Sequence, residues 1–341
     1  MEDNYKILYI SYNSIIEPLS KSQVIPYLKG LGSENFCMVL LTYEKIIDSE
    51  KFREIKENLK SVGIEWHWLR YHKRPKLLAA ILDILAGFLY SLKLYRKNRF
   101  RLVHARSYIP ATVGICLKAF LRIKLIFDLR GLLADDYVDG NLMIKQGISY
   151  KATKFLEKLI LKNSDEIVVL TKKLKGYLKS SSKIKAEIDV IPCCVDIDRF
   201  CGNFDKFAIR QKLNIGKDDF VFLYIGSVGT WYLADEAINF FLVAKKLLKG
   251  KAKFLFLSHS DKSIITEFIN NLNADPDDFI IINAEFENMP EYIASGDVSF
   301  VFYKPTFARI ATSPVKFSES IASGKSVIVN SGIGDLDEFV S

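Results

Sequence analysis

Histidine and cysteine are both sparse in this chain of 341 residues, which holds four His and five Cys. The cysteines (Cys37, Cys116, Cys193, Cys194 and Cys201) form no CxxC pair and no zinc spacing. Their odd number argues against a closed disulfide framework. Most are expected to be small buried hydrophobes in a reducing compartment. There is no Gly-x-Ser-x-Gly, HExxH or Walker loop, so serine hydrolase, zincin and NTPase readings lose their usual support. Helix-turn-helix, RNP and zinc-finger patterns are missing too, so nucleic acid is not the expected partner despite a net charge of +8. The opening MEDNYKILYISY runs from acidic residues straight into a strand-like segment, unlike a secretory leader, and a cytoplasmic location is expected.

Apolar material is plentiful. Hydrophobic residues make up 49% and charged residues 26%, enough for packed cores, and the length suits two domains. Short β-branched runs alternate with helical patterns, and this happens twice. The first set of runs is Lys6–Ile10, Cys37–Thr42, Ile64–Leu69, Leu102–His104, Lys124–Leu129, Glu166–Leu170 and Asp189–Pro192. Helical stretches between them include Lys21–Leu31, Glu50–Val62, Leu77–Lys97, Ala111–Leu121 and Ser149–Leu161. The second set is Phe220–Gly226, Lys253–Ser258, Phe279–Asn283, Val298–Tyr303 and Ser326–Asn330, with helices Ala234–Leu248, Lys262–Leu272, Pro290–Ser295 and Pro314–Ser323. Strands so spaced close as right-handed βαβ units, which predicts an α/β protein of two Rossmann-like, doubly wound parallel sheets. The break falls where IPCCVDIDRF enters a charged stretch, giving domains 1–192 and 193–341. Such sheets bind ligands at the carboxyl ends of their strands, so the site is expected there, in a cleft between the domains.

Charge is uneven. Residues 1–200 carry 34 Lys and Arg against 22 Asp and Glu, whereas residues 201–341 carry 14 against 18. A basic first half suits an anionic partner. The segment Leu77–Tyr95 is strongly apolar and is flanked by Arg70, His72, Lys73, Arg74 and Lys76 before it and Arg96, Lys97, Arg99 and Arg101 after it. Asp83, Ser91 and Lys93 interrupt it, so a membrane span is not expected. Two readings stand: a helix packed on the sheet by a broad apolar face, or a peripheral surface on the inner face of the cell membrane, its basic flanks meeting lipid phosphates.

The sharpest local pattern is ATSPVKFSESIASG, residues 311–324. Ser313 is placed to cap, Pro314 to take the first helical position with Val315 behind it, and Gly324 to end the helix. A helix start after a strand is a ready phosphate site. Lys316 and Glu319 share one helical face, suiting a phosphate and a ribose hydroxyl; a surface ion pair is the plainer reading. In IFDLRG, Asp128 and Arg130 sit at a strand end, where Arg130 can serve a phosphate or an acceptor and Asp128 a hydroxyl; a mutual structural ion pair is the alternative. Arg106 follows another strand end and is a weaker acceptor candidate, and His104 is expected to be structural. Trp231 and Tyr232 suit stacking or core roles equally. Asp135, Asp136 and Asp139 are expected to be solvated loop acids, with no metal.

These segments resemble glycosyltransferase family 4, the retaining enzymes of GT-B fold, in a polysaccharide-biosynthesis branch. Glu319 in SESIASGKSVIVNSG resembles the second glutamate of the family's Glu-x7-Glu helix, IPCCVDIDRF its interdomain segment, and FLYIGSVG the first strand of its second domain. IINAEFENMPEYIASGDVSF, KILYISYNSIIEPLSKSQVIPYLKGL, VHARSYIPA and IFDLRGLLADD are similar to further family segments. The resemblance implies a UDP- or GDP-linked sugar donor and no other cofactor. It also implies a glycan or lipid-linked acceptor, with donor contacts at Gly226, Ser227, Ala284, Phe286, Ser313, Val315, Lys316 and Glu319. Three features depart from it. Ala311 stands at the first glutamate position, and the basic pair usual after the first strand of the second domain is replaced by Ser-Val-Gly-Thr-Trp-Tyr. The glycine-glycine acceptor loop is replaced by a stretch holding Glu17, Pro18, Ser20, Ser22 and Gln23, of which Ser20 and Gln23 are the acceptor candidates. The family continues through another strand and further helices after the position of GDLDEFVS. A sugar-nucleotide epimerase of the same fold and a degenerate glycan-binding relative are the alternatives.

Overall fold

A computed structural model describes residues 5–34, 36–46, 48–180 and 184–340. The chain divides into two units, Met1–Asp136 with Met143–Pro192, and Tyr137–Leu142 with Cys193–Ser341. In the first, the elements run β1 (Lys6–Ser11), α1 (Pro18–Gln23), α2 (Ile25–Ser33), β2 (Cys37–Glu44), α3 (Ser49–Ser61), β3 (Ile64–Arg70), α4 (Lys76–Asn98), β4 (Leu102–Arg106), α5 (Tyr108–Leu121) and β5 (Lys124–Leu129). They continue through α6 (Leu133–Asp139), α7 (Ile148–Asn163), β6 (Glu166–Val169), α8 (Lys172–Lys179) and β7 (Glu187–Val190). The second unit adds α9 (Ile197–Phe200), α10 (Lys206–Lys212), β8 (Phe220–Ile225), α11 (Ala234–Leu247), β9 (Ala252–Leu257) and α12 (Lys262–Asn271). It closes with β10 (Phe279–Ile282), α13 (Met289–Ser295), β11 (Val298–Val301), α14 (Val315–Ala322) and β12 (Ser326–Val329).

Both sheets are parallel, ordered β3-β2-β1-β4-β5-β6-β7 and β10-β9-β8-β11-β12. Each order reverses once, between β1 and β4 and between β8 and β11. At such a switch point two neighbouring crossovers leave in opposite directions and open a crevice at the strands' carboxyl ends. Apolar residues on both faces of the strands explain why the sheets need helices on each side. One face of the first sheet packs Tyr9, Met38, Leu40 and Trp66 against Leu28 of α2 and Phe52 of α3. In the second unit Phe222, Phe254 and Phe300 stack across three adjacent strands under Phe241 of α11.

Several details differ from the sequence expectation. The single helix expected at Lys21–Leu31 is two, because Pro26 lacks an N–H and restarts the helix after Val24. The last strand of the first sheet lies two residues earlier than expected. The charged stretch after Cys193 forms two short helices, each started by an aspartate, Asp196 and Asp205, that accepts backbone N–H bonds. Only Cys193 of the five cysteines is buried; Cys194 and Cys201 are exposed. Asp135 is not a solvated loop acid but lies on α6, accepting from Tyr150 Oη at 2.9 Å and Lys154 Nζ at 3.1 Å.

The largest correction concerns α4. Ala79, Asp83, Gly87, Ser91, Leu94 and Asn98 recur at helical spacing and face inward. Asp83 is fully buried, taking Tyr12 Oη at 2.6 Å and contacting His72 Nδ1 at 2.6 Å, while Tyr43 Oη donates to its carbonyl at 2.9 Å. Gly87 is required here, because a Cβ would lie 2.0 Å from Tyr43 Oη and 3.1 Å from Val113 of α5. The broad apolar face expected to pack on the sheet points the other way.

Candidate functional site

The carboxyl edge of the first sheet gathers charge. Ser11, Arg106 and Asp128 are register neighbours on β1, β4 and β5. Asp128 has no exposed surface and is ringed by two guanidinium groups and an imidazole: Arg130 Nε at 2.7 Å, Arg106 Nη1 at 3.4 Å and His104 Nε2 at 3.5 Å. Burial alone would raise its carboxyl, but these neighbours, Arg130 foremost, hold it at about 2. The expectation that Asp128 touches a substrate hydroxyl does not fit a group so enclosed; its oxygens orient Arg130, Arg106 and His104 instead. His104 lies within β4, its ring 4.6 Å from that of Tyr9, and shares in this cluster. Ser107, directly after Arg106, has φ 75° and ψ −175°, a conformation nearly reserved for glycine and worth about 1–3 kcal/mol of strain. Such strain persists where the surroundings over-determine it, as at ligand sites. Of the acceptor candidates, Ser20 and Gln23 are buried on α1, and Gln23 Oε1 accepts from Tyr27 Oη at 3.3 Å.

The switch point of the second sheet holds a different arrangement. β8 ends in Gly226 at φ 110°, and Tyr224 Oη donates to the carbonyl of Ser227 at 2.9 Å, fixing the turn. A Cβ at Gly226 would sit 3.1 Å from Lys316 Nζ, so the turn and this lysine meet as expected. Lys316 is buried, and its ammonium lies in a cage of tyrosines, 3.9 Å from the ring centre of Tyr232, 5.3 Å from Tyr303 and 5.5 Å from Tyr224. An antiparallel bridge between Tyr232 and Tyr303 sets two of the three rings. Among the described residues Lys316 forms no ion pair. Burial therefore draws its pKa down to about 7, against a small opposing pull from Glu319. Burial also pushes Glu319 up to about 7, with Arg199 and Lys316 opposing.

Arg199 was not picked out from sequence. It stacks 3.6 Å over the ring centre of Phe286, donates to that residue's carbonyl oxygen and interacts with Glu319. Phe286 and Glu319 are thus linked through one guanidinium, and Ala284, two residues before Phe286, is buried. Only its place in IPCCVDIDRF hinted at this. Ser313 corrects an expectation: its hydroxyl accepts from the Cys193 N–H at 3.1 Å instead of capping α14, and Pro314, not Ser313, holds the cap position. Ser318 Oγ donates to the Cys193 carbonyl at 3.3 Å, so the start of α14 is tied to the 193–194 segment. Val315 opens the helix beside it, and Gly324 ends it at φ 68°. Ala311 is 1% exposed, a buried methyl where a carboxylate would be expected. Among the described residues no three His, Cys, Asp or Glu side chains converge as metal ligands.

Two parallel, doubly wound units with charged groups at their switch points define the GT-B class. Over 99% of this chain and 84% of the other, the fold matches sucrose-phosphate synthase from Thermosynechococcus elongatus (TM-score 0.69, 19% identity). It also matches Anabaena HepE in complex with UDP-glucose over 98% and 83% (TM-score 0.65, 14% identity). Residues 50–199 match the Glycosyltransferase Family 4 profile. An uncharacterized glycosyltransferase of Methanocaldococcus jannaschii is 30% identical over 135 residues, 38% of this chain and 32% of that protein, so the matched stretch spans about a third of that relative.

Proposed function

We propose that the chain is a retaining glycosyltransferase that moves a sugar from a UDP- or GDP-linked donor onto a glycan or lipid-linked acceptor in cell-surface polysaccharide biosynthesis. It needs no further cofactor and works on the cytoplasmic side, peripheral to the cell membrane. The observation carrying this reading is the buried Lys316 ammonium, without an ion pair among the described residues, held by three tyrosines against the Gly226 turn at a switch point. A cation kept at such cost in an apolar cage suits a strongly anionic ligand, and a diphosphate also accepts N–H donors from the turn after Gly226. Glu319 takes the ribose hydroxyls, and the Ala284–Phe286 backbone with Arg199 takes the base.

Retaining transfer passes through an oxocarbenium-like state, and its barrier falls when the departing diphosphate is stabilised by preorganised charge. Lys316 serves that end. In the first unit Arg130 and Arg106, fixed by Asp128, supply positive charge toward an anionic acceptor or phosphate. HepE, a protein of the same fold bound to UDP-glucose, makes a UDP-linked donor the first to try. The test is to incubate the pure protein with UDP- and GDP-sugars and a lipid-linked acceptor, and to follow nucleotide release and the product's anomeric configuration. Acceptor-dependent release with retention is expected. Sugar interconversion without acceptor would make it an epimerase, and failure to bind UDP or GDP would make it the degenerate relative that Ala311 suggests.

A further inference from the structure

Helix α4 is amphipathic the wrong way round for a helix that only covers a sheet. Its inward face carries Asp83, Gly87, Ser91 and Asn98, whereas Leu77, Leu78, Ile81, Leu82, Leu85 and Leu89 are 45–75% exposed. These six fall within one side of the helix. The row continues onto α5 through Phe120, 74% exposed, whose ring lies 5.4 Å from Phe88 of α4. Beside α5 packs α7, which exposes Phe155 at 70%. Exposed apolar groups in such a continuous strip mark an interaction surface.

Charge identifies what covers it. In α4, α5 and α7 together the acidic residues are Asp83 and Glu157, and both are buried. The exposed charges on or beside these helices are basic: Lys73, Arg74, Lys93, Arg96, Arg99, Arg122, Lys151 and Lys158. By length and composition Leu77–Asn98 could cross a membrane. The buried Asp83 contacts to Tyr12 and His72 instead fix α4 lengthwise on the first unit. We infer that the outer face of α4, with Phe120 and Phe155, is a docking surface for an anionic lipid bilayer: the leucine row enters the headgroup–acyl boundary while the basic rim meets lipid phosphates. This rests on the peripheral location proposed above and gives it a surface.

Sedimentation of the full chain with vesicles tests it. Binding is expected to vesicles of phosphatidylcholine with about one third phosphatidylglycerol, to weaken with added salt, and to be slight with phosphatidylcholine alone. Leu82→Glu with Leu85→Glu should cut the bound fraction at least about tenfold, since both leucines lose their place in lipid. Val243→Glu with Leu247→Glu, on the exposed side of α11, should leave it unchanged. Thermal melts and UDP calorimetry on each variant establish folding and the donor site separately, so loss of vesicle binding with UDP binding intact concerns only this surface. Unchanged binding in the α4 variant, or no binding of the native chain to anionic vesicles, overturns the proposal. So does a dimer in sedimentation equilibrium that the α4 variant dissolves, because the strip is then covered by a second copy.

Discussion

Lys316→Met separates a residue kept for a ligand from one kept for the fold. The ammonium is buried, without an ion pair among the described residues, and its pKa lies at about 7 against an ordinary 10.5. Holding it charged therefore costs roughly 4–5 kcal/mol relative to water, from about 1.4 kcal/mol per tenfold in protonation. Methionine is of similar length, carries no charge and packs well on aromatic rings. The cation–π contacts given up are worth about 0.5–2 kcal/mol. The substitution should thus leave the melting temperature level or higher. Nucleotide binding should respond in the opposite sense. A charge-assisted hydrogen bond contributes about 1.5–3 kcal/mol, and full recovery of the burial cost sets an upper limit near 5. Calorimetry with UDP should then show Kd weakened by roughly 10- to 10³-fold. A melting temperature lowered by several degrees together with unchanged UDP affinity would refute the reasoning, since Lys316 would then be part of the tyrosine packing and nothing more.

The same burial gives a pH signature. Because the folded pKa of Lys316 lies below its unfolded value, stability of the unliganded protein should rise with pH between about 7 and 10.5; Glu319, raised from 4.5 to about 7, should make it fall between those values. UDP binding should take up protons above pH 7 and weaken as pH rises, which calorimetry in buffers of different ionisation enthalpy reads directly; proton release would contradict this. Asp128→Asn leaves Arg106, Arg130 and His104 without their shared carboxylate and should destabilise the first unit by about 3–5 kcal/mol in urea melts at pH 7. The native carboxyl, held at about 2 instead of 3.8, contributes stability that is present above pH 3.8 and is lost as pH falls through about 2, so the gap between the proteins should narrow over that window. Gly226→Ala places a Cβ against Lys316 Nζ in a left-handed conformation and should cost about 1–3 kcal/mol while weakening UDP binding; equal UDP affinity would separate the turn from the ligand.

The architecture was legible because it follows from periodicity. Runs such as FVFLYI and KLIFDL are apolar on both faces, and only buried parallel strands read that way. Lys316 and Glu319 were legible because a strand, a loop and a helix start follow one another in register with the family pattern. What stayed hidden was side-chain direction. Nothing within LLAAILDILAGFLYSLKLY says that Asp83 turns inward to His72, just before the helix, and to Tyr12, 71 residues away, and this choice sends the leucines outward. Arg199 stayed hidden for a similar reason: its partner Phe286 lies 87 residues away. The Asp128–Arg130 ion pair was one of two readings the sequence allowed; that Arg106 and His104 join it was not legible, because only the sheet order brings β4 beside β5.

A nucleotide diphosphate is expected to occupy the second unit between the Gly226 turn and Lys316. A crystal structure of the protein soaked with UDP measures this directly. Both phosphates are expected within hydrogen-bond reach of Lys316 Nζ or the N–H groups following Gly226, with the ribose at Glu319. UDP bound elsewhere, or the tyrosine cage unchanged at saturating nucleotide, would contradict it.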